Sequence, residues 1–351
     1  MINDKDIRLE IEGRKREYQR HSRDLKKHYV RVNGWVACAR KRLRSIRNEE
    51  KTSRYIRYFT LCGIDAMDVL LLEKRNLVFF DGRGFPDVVF CEKDSDIFEN
   101  IRRILKRVRK DFKGFFEDIV FQSKFIELFP FDIFNLDFTR NCFPKREQPF
   151  SSTLGSIVKI IEEQGNKGSE FDLFVTFRAE RSRENEDAIA QLKENMEKNF
   201  DEVASIKKEF VQKYDDKNLD SLLNEDYSRF LLVTFPKLIV RFGNDNHFTV
   251  NCSHEYQYSR QYNCWTTRRR LHYKIIKFIF SFKYIPASGS ITQEGPRRTE
   301  ILESNYVEET KNSIKIEPVD VYRELEGRPS LKDKYREEIN ELIEKIKLEE
   351  F

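Results

Sequence analysis

Residues 58–94, YFTLCGIDAMDVLLLEKRNLVFFDGRGFPDVVFCEKD, constrain the fold more than any other stretch of the chain. Tyr58 to Leu61 are β-branched or aromatic and stop at Cys62-Gly63, which reads as a strand running into a tight turn. Asp65 can cap a helix over 66–76, with Asp68 three residues further on. Val88, Val89 and Phe90 form the next apolar run, and it ends on Glu92 and Asp94. A helix between two uninterrupted apolar strands is the pattern of a parallel pair covered on both faces. Ligands of such sheets lie beyond the carboxyl ends of the strands, so Cys62, Gly63 and Asp65 are expected beside Glu92 and Asp94. A backbone approach at glycine and a carboxylate for ribose hydroxyls are what a nucleoside-containing cofactor needs.

Taken in order, these elements resemble the class I S-adenosylmethionine-dependent methyltransferases. The resemblance covers about residues 55–285. It implies an α/β, Rossmann-like doubly wound, mostly parallel sheet closed by an antiparallel edge pair, with helical N-terminal, insertion and C-terminal elements. It also implies S-adenosylmethionine as cofactor, held by Cys62, Gly63, Asp65, Glu92, Asp94 and Asp118. In this reading Glu92 is the second-strand acid, and Asp118, in FFEDIV, ends a third strand. Asn135 or Asp137, in FDIFNLDF, stands at the tip of a fourth as the catalytic residue. The chain departs from the family in having a single glycine after the first strand and no Pro-Pro-aromatic motif on the fourth. Asp137 has two readings, orienting a methyl acceptor or capping the following loop.

The 351 residues, 39% apolar and 13% aromatic, suffice for one large domain with appendages. We divide them into a basic helical segment over 1–57, a methyltransferase-like domain over 58–285 with a helical insertion near 183–225, and an exposed arm with a terminal helix over 286–351. Strands are expected at 118–121, 132–136, 171–177, 230–242 (FLLVTFPKLIVRF) and 273–284 (YKIIKFIFSFKY). Helices are expected at 96–110, at 154–164 and, with one apolar face, at 330–351. No apolar run is long enough to cross a bilayer and no signal-peptide pattern opens the chain, so no membrane partner and a cytoplasmic location are expected.

Six cysteines stand in apolar contexts without CxxC spacing, which favours reduced, buried thiols. His247, Cys252, His254, Cys264 and His272 share one region, but their spacing matches no common zinc site. Glu92-Lys93-Asp94 lacks the alternation a metal nuclease needs, and no Walker-type loop supports nucleotide hydrolysis.

Net charge is only +5, yet residues 1–58 hold 18 Lys and Arg against 8 Asp and Glu. Arg40, Lys41, Arg42 and Arg44 put positive charge on most of a helix surface. Two readings stand, contact with nucleic-acid phosphates and a solvated face. Arg268, Arg269 and Arg270 lie among Tyr256, Tyr258, Tyr262 and Trp265, a mixture that can stack bases or pack a long loop. The function expected is a methyltransferase-like protein acting on or binding nucleic acid. The alternative is a catalytically inactive scaffold of the same fold that binds nucleic acid or, through its terminal helices, partner subunits. A role in antiviral defence is compatible with these features, and none of them demands it.

Overall fold

The computed structural model describes residues 22–49, 54–78, 87–144, 153–215, 217–264, 269–286 and 297–349, together with Gly13, Arg16, Gln19 and Arg20. The chain is α/β with mixed, mostly parallel strand pairing, and the strands do not close on themselves. It divides into two compact units, Met1–Phe116 with Val321–Phe351, and Glu117–Asp320. Among the described residues no helix is long and apolar enough to cross a membrane.

In the first unit, strands β1 (Tyr58–Leu61), β2 (Val88–Glu92) and β3 (Lys110–Lys113) run parallel, with β2 in the middle. Tyr58, Phe59, Val88, Val89 and Phe90 are fully buried, as unbroken apolar strands require. The helix Met67–Lys74 buries every residue from Met67 to Leu72. The helix Ser95–Leu105 buries Ile97, Phe98, Ile101, Ile104 and Leu105 and leaves Arg102 and Arg103 outside. It stops short of the expected 110 because Lys106 takes a positive φ of 29°, and Lys110 opens β3 instead. That strand was hidden by its charge: only Phe112 of KDFK is buried.

Upstream, the helices Leu25–Val30 and Ala37–Glu49 are expected to break near Asn33-Gly34. A π-helical turn, Arg31–Val36, joins them instead. The terminal helix Pro329–Glu349 uses its apolar face within this same unit, with Tyr335, Ile339, Leu342 and Ile346 buried. Asn33 donates to the Tyr335 hydroxyl at 2.8 Å, and the buried His28 ring meets Glu338 at 3.1 Å.

In the second unit, β4 (Ile133–Asn141) and β5 (Phe171–Ala179) are parallel. β7 (Arg269–Tyr284) is antiparallel to β5 and to β6 (Phe248–Cys264), and β8 (Val319–Asp320) lies parallel to β6. Phenylalanines fill one side of this layer: Phe171 stacks on Phe282 at 4.2 Å between centroids, and Phe177 meets Phe235 edge-on at 5.0 Å. β6 and β7 do form an antiparallel pair, but β8 lies beyond it at the edge, and the first member of the pair is not 230–242. Those residues lie in the helix Tyr227–Asp245, buried on nearly every side, with Pro236 inside it. An apolar run with no polar face reads alike as core strand or core helix. The Asp226 carboxylate, which accepts from the Arg229 N–H at 3.3 Å, is the local signal that it begins a helix.

Three further expectations are corrected. Residues 251–264, read as a polar loop, belong to β6. The segment expected as an exposed arm contains the helix Arg298–Lys315, with Leu302, Thr310, Ser313 and Ile314 buried. Its Glu309 accepts from the Cys252 N–H at 3.1 Å and so fixes that helix to the strand. The strand expected at 118–121 is absent, because Phe116–Ile119 forms one helical turn.

Two predictions follow from this packing. At Gly243 a methyl group would overlap the side chain of Val250 and crowd Phe282, in a helix seated against β6. Gly243→Ala is expected to destabilise by about 1–3 kcal/mol despite its better helix propensity, as read by urea unfolding. Burial holds His28 below its ordinary pKa of 6.5 even though Glu338 opposes the shift. The unfolded chain therefore takes up that proton first, and stability falls as pH drops below about 6.5. Burial pushes Glu338 up, but the His28 hydrogen bond and Arg75 outweigh it and hold the carboxyl below 4.5. Its contribution is present above pH 4.5 and is lost as pH falls through the folded pKa. Thermal melts between pH 8 and 5 should show Tm falling from about pH 6.5 downward, and His28→Gln should flatten that limb.

Candidate cofactor-binding rim

The register of β1 against β2 sets Leu61 beside Cys91, so the Cys62-Gly63 turn and Glu92 emerge together at the carboxyl edge of two parallel strands. This juxtaposition, between residues far apart in sequence, is the one the sequence led us to expect. Glu92 Oε1 accepts from the backbone N–H groups of Lys93 at 2.8 Å and Asp94 at 2.9 Å. Its other oxygen has no partner among the described residues, and burial raises its pKa. Asp94 is committed elsewhere. Its Oδ1 accepts from Asp96 N–H at 3.0 Å and Ile97 N–H at 3.2 Å, capping the helix Ser95–Leu105.

Across the rim the turn is built differently from expectation. Asp65 does not cap a helix: the N-terminal residue is Ala66, held at φ 45°, and the buried Asp65 carboxylate pairs with Arg23 at 2.9 Å. Asp68 turns to the strand, accepting from the hydroxyls of Tyr58 at 2.9 Å and Thr60 at 2.7 Å. The Cys62 thiol points inward to the same carboxylate at 3.8 Å, and burial, then the Asp68 charge, holds it well above its ordinary pKa. Cys62 therefore offers its backbone, not its sulfur. At Gly63, among the described residues, only Ser22 Oγ, at 3.9 Å, approaches the place a side chain would occupy.

Past β3, Phe115 is 53% exposed, and Lys93 Nζ lies 5.2 Å from its ring centre. Glu92, Lys93 and Phe115 thus belong to the ends of β2 and β3, joined by the Gly114 N–H donating to Glu92 O at 3.0 Å. Sequence reasoning gave Phe115 no role because it expected the third strand at 118–121, after Phe115, and not at Lys110–Lys113. The Gly114-Phe115-Phe116 run after a charged strand was the available signal.

In the second unit, Asp118 is exposed on the helical turn Phe116–Ile119 rather than at a strand tip. Neither Asn135 nor Asp137 ends its strand, since β4 continues to Asn141. Asn135 is buried, and Asp137 lies in cross-strand register with Thr176 of β5, which in turn faces Lys277 of β7. Lys277 Nζ stands 3.9 Å from Asp137, and both are largely buried. Asp137 therefore belongs to a polar row across three strands, and it does not cap the loop that follows. At the true end of β4, the Asn141 amide donates to Glu180 O at 2.6 Å. The Phe143 N–H donates to the buried Glu184 carboxylate at 2.8 Å.

Arg40, Lys41 and Arg44 are exposed on the helix Ala37–Glu49, and Arg42 is half-buried. Arg268 lies outside the described residues, and Arg269 and Arg270 are described only as the start of β7. The side chains of His254, Cys264 and His272 also lie outside them, and Cys252 is buried and forms no disulfide among the described residues. Among the described residues no three His, Cys, Asp or Glu side chains gather as a metal site.

Neither the curated proteins nor the solved structures contain a match to this chain. The PP_RS20740-like family model does match it, over residues 121–349. That span is more than half of the 351 residues, and the chain belongs to the PP_RS20740-like family.

Proposed function

We propose that the protein binds S-adenosylmethionine at the carboxyl edge of β1 and β2, as a methyltransferase-like protein on a Rossmann-like, doubly wound sheet. The observation that carries this reading is the pairing of the Gly63 turn with Glu92 at the ends of neighbouring parallel strands, with one carboxylate oxygen uncommitted. Ribose hydroxyls donate to that oxygen, and the remaining oxygen stays on the Lys93 and Asp94 amides, which hold the side chain in place. Gly63 admits close approach along its backbone, and the exposed Phe115 ring offers a face to a purine. The cofactor, when bound, supplies an electrophilic methyl on a sulfonium. Transfer then needs chiefly alignment of the acceptor, so few protein groups are demanded. Nucleic acid is the class of acceptor the basic surface favours.

A second reading, the scaffold that binds no cofactor, draws on a different observation. Arg23 is tied to Asp65, and Ser22 stands beside Gly63, so the N-terminal helical region already lies against the turn.

Isothermal titration of the full chain with S-adenosylmethionine separates the two. The cofactor reading expects micromolar affinity, weakened about 10- to 100-fold by Glu92→Ala, the loss of a hydrogen bond to a charged group. Phe115→Ala should weaken it less, with no change in melting temperature. Absence of binding by the folded wild-type chain sinks the cofactor reading and leaves the scaffold.

A further inference from the structure

The helix Ala37–Glu49 has two sharply different sides. Ala39, Leu43 and Ile46, continued from Val36 in the preceding turn, are buried at steps of three and four residues. Arg40, Lys41, Arg44 and Arg47 are exposed on the other side. With a rise of about 1.5 Å per residue, Arg40, Arg44 and Arg47 form a track about 10 Å long on one face.

These four cations are uncompensated. Arg44 Nε donates to Arg40 O at 3.3 Å, and Arg47 stands 5.8 Å from the Tyr55 ring centre. None of the four has a carboxylate within ion-pair distance among the described residues, and residues 37–48 contain no acid at all. Several exposed cations on other helices sit beside acids: Lys198 with Glu194 at 2.9 Å, Arg336 with Asp333 at 2.8 Å, Lys347 with Glu344 at 2.7 Å. A helix face that is merely solvated is normally laced in this way, because like charges at i and i+4 repel. Here the repulsion is left standing.

We propose that this face docks the phosphodiester backbone of nucleic acid through Arg40, Lys41, Arg44 and Arg47. Guanidinium groups match phosphate oxygens bidentately, and a row of them follows one strand of backbone. An anionic lipid surface fits worse, because a helix lying on a membrane inserts apolar side chains, and the apolar side of this helix is already buried in the fold. Arg42, half-buried with contacts of its own, stands outside the track. The contacts are to backbone phosphate, so the surface carries affinity without reading sequence.

The test is fluorescence anisotropy of the full chain with labelled single-stranded and duplex DNA of about 30 nucleotides, in about 50–300 mM KCl and without S-adenosylmethionine. Leaving the cofactor out keeps failure here distinct from failure of the cofactor reading. Log affinity should fall linearly with log salt. The variant R40Q/K41Q/R44Q/R47Q should bind at least about tenfold more weakly, with a slope smaller by about three. R44Q alone should reduce the slope by about one, and R40K/R44K/R47K should keep most of the affinity and the full slope. Circular dichroism melts check that the variants are folded. A folded quadruple variant that binds DNA like the wild type overturns the proposal. So does a wild-type chain that fails to bind DNA at 50 mM salt, or one that this helix ties to phosphatidylserine vesicles and not to DNA.

Discussion

A single buried carboxylate organises the rim on which the functional reading rests. Asp68 stands in the first turn of the helix Met67–Lys74, and it accepts from Tyr58 and Thr60 of β1 and from the Cys62 thiol. An ionised carboxylate removed from water without partners costs several kcal/mol. Two hydroxyl bonds, each worth about 1.5–3 kcal/mol to a charged acceptor, offset that cost, and the helix N-terminus favours the same charge. Strand and helix are thereby pinned to one another across only five intervening residues. The chain between them has little freedom left, and Ala66 takes up the sharp turn at a positive φ. Asp65 is carried away from the helix axis toward Arg23. The backbone at Cys62 and Gly63 is consequently presented at the edge beside Glu92, with the sulfur turned inward.

How much of this was legible in the sequence depends on what the side chains had to reveal. The succession of β1, helix and β2 could be read because both strands are buried on both sides and so lack any alternation. The helix Ser95–Leu105 could be read because its apolar positions keep one stripe, although Asp94, which caps it, was read as a cofactor ligand. β3 could not be read: a four-residue edge strand with three charged residues carries almost no hydrophobic signal. The helix Tyr227–Asp245 and β6 are opposite failures of one rule. The first is buried all round and looks like a core strand, and the second is long, polar and pairs through its backbone. Register against β7, which begins soon after β6 ends, together with Glu309 on the helix Arg298–Lys315, holds β6 in place, and Glu309 is remote from it in sequence.

The candidate site divides in the same way. Glu92 was legible because a strand-terminal acid after an apolar run is a positional signal. Asp94 carries the same signal but spends its oxygen on a helix cap, a use that depends on the two amides that follow it. Asp137 was read as a strand tip because the strand was expected to end at Leu136. Pairing with β5 extends the strand to Asn141, and the charge of Asp137 is met from β7 by Lys277. A charge partner 140 residues away has no local trace, so neither the row nor its lysine was accessible to sequence reasoning.

Family membership and the cofactor reading rest on different parts of the chain. The matched span, 121–349, takes in β4 to β8 and the terminal helix, whereas β1 to β3, Glu92, Phe115 and the basic helix all precede it. What the family model matches is thus nearly all of the phenylalanine-packed second unit, together with residues 321–349 of the first. The rim is supported by its own chemistry: a register that brings a glycine turn and a carboxylate together, and an oxygen left over after the backbone has taken its share. The basic helix belongs to the same unit as the rim, so cofactor and phosphate readings converge on one body of the protein from independent side chains. A chain that only needed a stable scaffold would gain by placing acids among Arg40, Arg44 and Arg47, as several of its other helices do. Keeping that face purely cationic lowers stability slightly, and such a cost is expected where the missing anions arrive with a partner.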